Sequence, residues 1–310
     1  MREARAMELA ELLGAWAIGP VASVEAVGRG TNNPTYFVEA AGGRFVLRVS
    51  MGTAERLAFE HAVCQRLGEL PFEIPVPVAT IDGKTWAEAG SGGRARLTRA
   101  IPGEHPRRES VVQAEVCGRA LAQLDLALGE LAAKDLPPMP EWNADFTTVH
   151  PRVRSLPQFF DLLPIDGRDA ARDLFDRIAK TFEDCDLPRQ VIHADFGVSN
   201  VLMSGDRVTG ILDLEFACPG YRAMDLATGL WSFSKNDQTT EAFRHGYLAE
   251  LPLTDAELNA LPNLQRLREA TGLVHRVGRH LDGHTPTVEL ADRLTRLLDL
   301  DAALPSGRLG

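Results

Sequence analysis

The side chains best suited to chemistry lie within residues 191–215. His193 and Asp195 are one residue apart, and Asn200 follows five residues after Asp195. An apolar run then ends at Asp213 and Glu215. Phosphoryl transfer from ATP needs one carboxylate that orients the attacking hydroxyl, and an amide oxygen and a second carboxylate that hold Mg²⁺ on the phosphates. Asp195, Asn200 and Asp213 supply these groups, so the stretch predicts phosphoryl transfer.

Short strand-like runs flank these side chains and are expected to hold them at turns. Apolar runs at 190–192 and 201–203 enclose the first loop, and a third run at 208–212 ends immediately before the second carboxylate. A Gly-Asp pair between the last two runs is suited to a hairpin turn. Aspartate and asparagine are also common in turns for structural reasons alone. The prediction therefore rests on the spacing together with the flanking strands.

A glycine-containing loop lies near the start of the chain. Gly28, Gly30 and Thr31 separate strand-like residues 21–27 from a second run at 36–40. Glycine lets backbone N–H groups approach phosphate oxygens closely. A hairpin with glycines is also compatible with a purely structural turn. Its position ahead of the catalytic stretch favours contact with the nucleotide.

Arg48 interrupts the apolar strand-like run at 44–49. One interpretation is an exposed residue on an alternating strand. The other places its guanidinium on the nucleotide phosphates, which arginine binds through two nitrogens at once. Glu60 lies in the helix predicted at 54–68, where it would either pair with Arg48 and fix its rotamer or face solvent.

The composition limits the classes of partner. The net charge of −10 and the pI of about 5.3 argue against a nucleic-acid binder. The N-terminus has no apolar signal core, and no long apolar window predicts a membrane span. The cysteines are scattered without metal-ligand spacing, which predicts reduced thiols in a cytoplasmic protein.

Periodicity and turn residues predict the remaining elements. Further helices are expected at 3–14, 110–131 and 169–184 and over most of 226–304, and further strands at 78–81, 86–88 and 94–100. The proline-rich residues 134–165 predict an irregular insertion with a short helix at 156–163. Asp225 begins a helix, where it would cap the N-terminus or brace the catalytic loop. Helix breaks are expected at Pro252, Pro262 and Pro286. The later histidines and arginines suit a solvated helix face better than a zinc site.

Together these stretches resemble the aminoglycoside phosphotransferase and choline kinase superfamily, and within it the type II homoserine kinases. The resemblance runs from Gly28 to Asp225. It rests on GTNNPTYFV at 30–38, RFVLRV at 44–49, VIHADFGVSNVL at 191–202 and ILDLEFAC at 211–218.

The resemblance implies an α+β, two-lobed protein-kinase-like fold. Its small β-rich nucleotide-binding lobe would span residues 1–98, a hinge would follow at 99–103, and a mainly helical catalytic and acceptor-binding lobe would span 104–310. Backbone groups at Thr98 and Ala100 would contact adenine.

The resemblance also implies a role for each motif residue and the cofactors ATP and Mg²⁺. The catalytic carboxylate would be Asp195, the magnesium ligands Asn200 and Asp213, and the phosphate-binding side chain Arg48, oriented by Glu60. His193 and Asp225 would support the loop, and Glu215 would lie at the acceptor side or support the metals.

The leading functional hypothesis is an ATP-dependent kinase of a small amino alcohol, with homoserine first. An antibiotic phosphotransferase of the aminoglycoside type is the first alternative, and a catalytically silent nucleotide-binding regulator is the second. The expected partner is a small molecule with a hydroxyl group, without nucleic acid or membrane, bound by a monomer or homodimer.

Overall fold

The computed structural model describes residues 2–27, 33–142, 145–164, 166–183 and 185–305. Its strands are β1 (Val21–Ala26), β2 (Thr35–Ala40), β3 (Gly43–Ser50), β4 (Ala87–Glu88), β5 (Arg94–Arg99), β6 (Arg189–Ile192), β7 (Val201–Ser204), β8 (Arg207–Ile211) and β9 (Cys218–Tyr221). Its α-helices are α1 (Arg2–Leu13), α2 (Ala54–Arg66), α3 (Val111–Gly129), α4 (Leu156–Leu162), α5 (Arg168–Phe182), α6 (Met224–Ser232), α7 (Asp237–Glu250), α8 (Asp255–Leu281) and α9 (Thr287–Ala303).

The chain divides into two compact units. The N-terminal unit comprises Met1–Arg107, Glu130–Met139 and Val198–Ala217, and the C-terminal unit comprises the rest. The segment with Asn200 and Asp213 therefore packs within the N-terminal unit. A single boundary at 99–103 would instead assign that segment to the second lobe.

An antiparallel sheet in the order β1-β2-β3-β5-β4 forms the centre of the N-terminal unit. Alternate residues of its middle strands point to one face, as the period of two in a strand requires. Val38, Leu47 and Leu97 are fully buried there and pack with Leu13 and Trp16 from the end of α1 and the turn that follows. This packing fixes the register of β3, and with it the face on which Arg48 lies.

The β7–β8 hairpin is attached to the rest of the N-terminal unit by backbone hydrogen bonds. The N–H of Glu104 donates to the carbonyl of Met203 at 2.9 Å, and the reverse bond measures 2.8 Å. The N–H of Glu73 donates to the carbonyl of Thr209, also at 2.9 Å. Because Asp213 follows β8, these bonds also help to position its turn.

Helices dominate the C-terminal unit, and α3 and α7 pack unusually closely. A Cβ atom at Gly118 of α3 would collide with the carbonyl of Phe243, and one at Gly246 of α7 would collide with the carbonyl of Glu115. Glycine at both positions is what permits this approach. Strands β6 and β9 pair antiparallel in the same unit, and β6 leads directly to His193.

Two sequence predictions about local structure are wrong. Residues 78–81 form no strand, because Thr80 closes a turn instead: its N–H donates to the carbonyl of Lys84 at 2.8 Å. Pro262 does not break a helix but lies inside α8. A capping box at Thr254 begins this helix, and burial of Leu264 and Leu267 offsets the hydrogen bond that proline cannot donate.

The predicted α+β class is confirmed, and the strands of the catalytic stretch lie within a residue or two of their expected bounds. Among the described helices, none has the length and apolar character needed to cross a membrane.

Candidate active site

A strained turn presents Asp195 in the C-terminal unit. Ala194 has φ +65°, in the left-handed region that alanine rarely adopts. The carboxylate of Asp225 holds this turn: Oδ2 accepts the N–H of His193 at 2.6 Å, and Oδ1 accepts that of Ala194 at 2.7 Å. The N–H of Asp195 donates to Nδ1 of His193 at 3.2 Å. Strain of this kind persists where surrounding contacts enforce it, commonly at functional sites.

The structure decides between the two interpretations of Asp225. Helix α6 begins at Met224, its N-cap is Ala223, and no side chain caps it. Asp225 therefore does not act as a cap, because both of its oxygens bind the backbone of the catalytic loop. The two hydrogen bonds are the contacts that a side chain bracing this loop would make.

A second buried carboxyl group lies behind Asp225. Asp125 of α3 is 1% exposed and hydrogen-bonds the Asp225 side chain. Its Oδ2 accepts the hydroxyl proton of Tyr247 at 2.7 Å, whereas Oδ1 has no donor among the described residues. Burial raises the pKa of Asp125 well above its usual value, and the charge of Asp225 raises it further. A protonated Asp125 that donates to Asp225 satisfies both carboxyl groups.

Arg268 of α8 contacts the predicted catalytic carboxylate from the other side. Its Nη2 lies 2.6 Å from Oδ1 of Asp195, and both side chains keep some exposure, 20% and 29%. The guanidinium carbon is 6.0 Å from the centre of the Trp142 ring. No motif or spacing in the sequence points to Arg268.

In the N-terminal unit, Arg48 binds the second carboxylate of the motif. Its Nη1 lies 2.7 Å from Oδ1 of Asp213, and its Nη2 lies 3.3 Å from Oδ2. The same Nη2 is 3.2 Å from Oε2 of Glu215, which also accepts a hydrogen bond from Nδ2 of Asn33 at 2.9 Å. Asp213 has φ +66°, and among the described residues only Ala194 shares a positive φ without being glycine.

The charges of this cluster shift one another's pKa values. Burial raises the pKa of Glu215 to about 7; the charge of Asp213 adds to this rise, and Arg48 opposes it. Burial alone would lower the pKa of Arg48, but Asp213 and Glu215 outweigh burial, and the net shift is upward. Arg48 thus stays charged and shields the acidic groups from one another.

The expected pairing of Glu60 with Arg48 is corrected. Glu60 forms a buried ion pair with Arg96 of β5. Arg48 and Arg96 lie opposite each other in the β3–β5 register, so both guanidinium groups project on the same face of the sheet. The carboxylate of Glu60 therefore pairs with Arg96, and Arg48 binds Asp213 and Glu215 instead. Glu60 still acts on Arg48 through its charge.

Asn200 and Asp213 are joined through the backbone of the N-terminal unit. The N–H of Leu212, next to Asp213, donates to the carbonyl of Asn200 at 2.8 Å. The two side chains offer an amide oxygen and a carboxylate, the hard oxygen donors that Mg²⁺ prefers. This donor set fits the expected metal.

Of the remaining predicted nucleotide contacts, the structure describes Thr98 and Ala100. Gly28, Gly30 and Thr31 lie outside the described residues. Thr98 is buried on β5 and pairs with Val46. The N–H of Ala100 donates to the carbonyl of Arg44 at 3.0 Å, so this amide is already occupied within the unit.

The sequence model of the phosphotransferase enzyme family matches residues 23–261. The chain belongs to this family. The prediction that it is an enzyme, a small-molecule kinase with an alcohol group as acceptor, is confirmed.

Curated relatives and solved structures extend this result. A homoserine kinase of Brucella ovis is 30% identical over 277 residues, which covers 84% of this chain and 80% of the relative. One of Rhodopseudomonas palustris is 30% identical over 269 residues, with the same coverage. The structure of a microcompartment-associated aminopropanol kinase superimposes with a TM-score of 0.75 at 17% identity and covers 97% of this chain and 95% of its own. The structure of an amicoumacin kinase in complex with AMP-PNP and Ca²⁺ superimposes with a TM-score of 0.74 at 16% identity. The match covers 98% of this chain and 96% of the kinase. These structural matches confirm the kinase-like fold.

Proposed function

We propose that this phosphotransferase moves the γ-phosphate of ATP to the hydroxyl group of a small amino-alcohol-type metabolite, with homoserine as the first candidate. The observation that supports this choice is the match to homoserine kinases at 30% identity across 84% of the chain. The aminoglycoside phosphotransferases among the structural neighbours, at 14–17% identity, share the fold alone.

In the C-terminal unit, Asp195 is the catalytic carboxylate of the proposed reaction. It accepts the proton of the acceptor hydroxyl as the oxygen attacks the γ-phosphorus and the bond to the β-phosphate oxygen breaks, which leaves ADP. His193 and Asp225 hold the turn that presents it. A fixed carboxylate removes much of the orientational cost of such a step.

In the N-terminal unit, Asn200 and Asp213 would hold Mg²⁺, which neutralises phosphate charge when bound. Arg48 would contact the phosphates and balance the charge of Asp213, and Glu215 would support this cluster. Glu60 would act through Arg96 and through its charge. Gly28, Gly30, Thr31, Thr98 and Ala100 remain predicted nucleotide contacts, and the lobe boundary at 99–103 remains a prediction.

A panel assay of ADP release tests the proposal. Homoserine, choline, ethanolamine, hydroxylysine, methylthioribose and two aminoglycosides are each offered with MgATP, and the phosphorylated product is identified by ³¹P NMR. We expect homoserine to give the highest kcat/KM. A clear preference for an aminoglycoside would instead assign the antibiotic phosphotransferase activity, and MgATP binding without turnover of any acceptor would favour the silent regulator.

A further inference from the structure

We propose that Arg268, together with the indole N–H of Trp142, binds a carboxylate on the acceptor. The acceptor would then be a hydroxyl-bearing amino acid and not a polycation or a simple amino alcohol. The inference rests on the proposed function and adds to it the chemical group that the enzyme recognises.

The hydrogen-bonding capacity of Arg268 is only partly used. Its Nη2 donates to Asp195, whereas Nη1 lies 3.9 Å from Glu269, beyond hydrogen-bond distance. Its Nε has no hydrogen-bond partner within the part of the chain that the structure describes. A guanidinium has five N–H donors in a planar fork that matches the two oxygens of a carboxylate.

Another arginine of the same helix shows what a saturated guanidinium looks like. Arg266 binds Oδ1 of Asp301 through Nε at 2.7 Å and the side chain of Asn263 through Nη1 at 3.2 Å. It also donates to the carbonyls of Leu304 and Pro305. Arg266 therefore links helices to one another, whereas Arg268 contacts the loop of Asp195 and keeps N–H groups that can bind a ligand.

Trp142 supplies a second donor beside Arg268. Its Nε1 is buried and, among the described residues, has no hydrogen-bond partner. Its backbone N–H donates to the carbonyl of Pro219 at 2.7 Å, which anchors the residue to β9. Buried donors without partners are costly, and the two oxygens of a carboxylate would satisfy such groups.

The position of Arg268 suits a short acceptor. Because its guanidinium touches Asp195, a carboxylate bound to Arg268 would hold a hydroxyl at the far end of a short aliphatic chain close to Asp195. The cation would also offset the repulsion between Asp195 and the carboxylate of the acceptor. It would oppose the dense positive charge of an aminoglycoside.

A matched pair of acceptors tests the carboxylate directly. 3-Aminopropan-1-ol is homoserine without its carboxylate, so the ratio of kcat/KM for the two acceptors measures recognition of that group. We expect the wild type to favour homoserine and the ratio to fall about 10- to 100-fold in Arg268→Gln, as for a lost hydrogen bond to a charged group. The loss should lie mainly in KM for homoserine. Trp142→Phe should reduce the same ratio by a smaller factor.

Arg276→Gln is the control, because Arg276 lies on the same helix and pairs with Glu289 instead of Asp195; it should leave the ratio unchanged. Calorimetric titration with homoserine provides a readout without turnover and should show weaker binding to Arg268→Gln. Equal losses on both acceptors in Arg268→Gln would mean that Arg268 only orients Asp195, which overturns the inference and leaves the proposed function intact. No turnover of any amino alcohol by the wild type would overturn the proposed function itself, whereas turnover of ethanolamine or choline but not of homoserine would overturn only the inference.

Discussion

Arg48 binds the carboxylate of Asp213 through two nitrogens, with Nη1 2.7 Å from Oδ1 and Nη2 3.3 Å from Oδ2. A bidentate contact of this kind fixes the plane of the carboxylate as well as its position. The side chain expected on the phosphates and the side chain expected on the metal therefore form one unit. Changes at Arg48 should act on both.

Arg48→Lys should weaken MgATP binding by about tenfold, because lysine keeps the charge but cannot bind through two nitrogens. Arg48→Met should weaken it further, because it leaves Asp213 and Glu215 without their shared cation. Equilibrium titration with MgATP measures both. Arg44→Met is the control on the same strand, since Arg44 forms an exposed pair with Glu39. Unchanged affinity in Arg48→Met would contradict the assignment.

Asp195→Asn should lower kcat by about 100- to 10,000-fold, the range expected for loss of a positioned proton acceptor. The amide has nearly the same shape, so the melting temperature and the affinity for MgATP should stay close to those of the wild type. Asp173→Asn, at an exposed position of α5, controls for the loss of one negative charge. If Asp195→Asn retained full turnover, another residue would have to accept the proton.

The sequence indicated those parts of the site that lie within one stretch of chain, and missed those that packing brings in. The predicted roles of Asp195, Asn200 and Asp213 follow from their spacing and the flanking strands. Arg96 depends on the register of β3 and β5, which no single strand reveals. Arg268 lies 73 positions beyond its partner Asp195, in a stretch for which the sequence predicts only helical structure. The same reason explains Glu60. The sequence suggested Arg48 as its partner, but strand pairing brings Arg96 beside Arg48, and Glu60 pairs with Arg96.

The contact between α3 and α7 should not tolerate even one added methyl group. Gly246→Ala places a Cβ atom against the backbone carbonyl of Glu115, and backbone cannot move aside as a flexible side chain can. We expect a loss of about 1–3 kcal/mol in the free energy of unfolding, as for overpacked cores. Gly68→Ala is the control: nothing lies within 4 Å of its added Cβ atom, so it should be neutral or slightly stabilising. Equal effects of the two changes in denaturant titrations would contradict close packing of these helices.

Asp125→Asn should change how stability depends on pH. Because burial and Asp225 raise the pKa of Asp125 in the folded protein, the folded state keeps a proton that the unfolded chain releases above pH of about 4. The stabilising contribution of this proton is full at low pH and is lost as pH rises toward the raised pKa. Asparagine donates to Asp225 without a proton to lose. Between pH 5 and 8, the free energy of unfolding of the variant should therefore rise relative to that of the wild type by up to about 1.4 kcal/mol per pH unit.

Denaturant titrations of both proteins across that range measure the difference. The charged and titratable groups that act on Asp125 are Asp225, Tyr247 and Arg222, and all three are unchanged in the variant. Asp173→Asn again serves as the exposed control and should show no such trend. A constant difference between wild type and Asp125→Asn would mean that Asp125 is ionised in the folded protein. Two buried carboxylates would then face each other, and Arg222 would have to balance their charge.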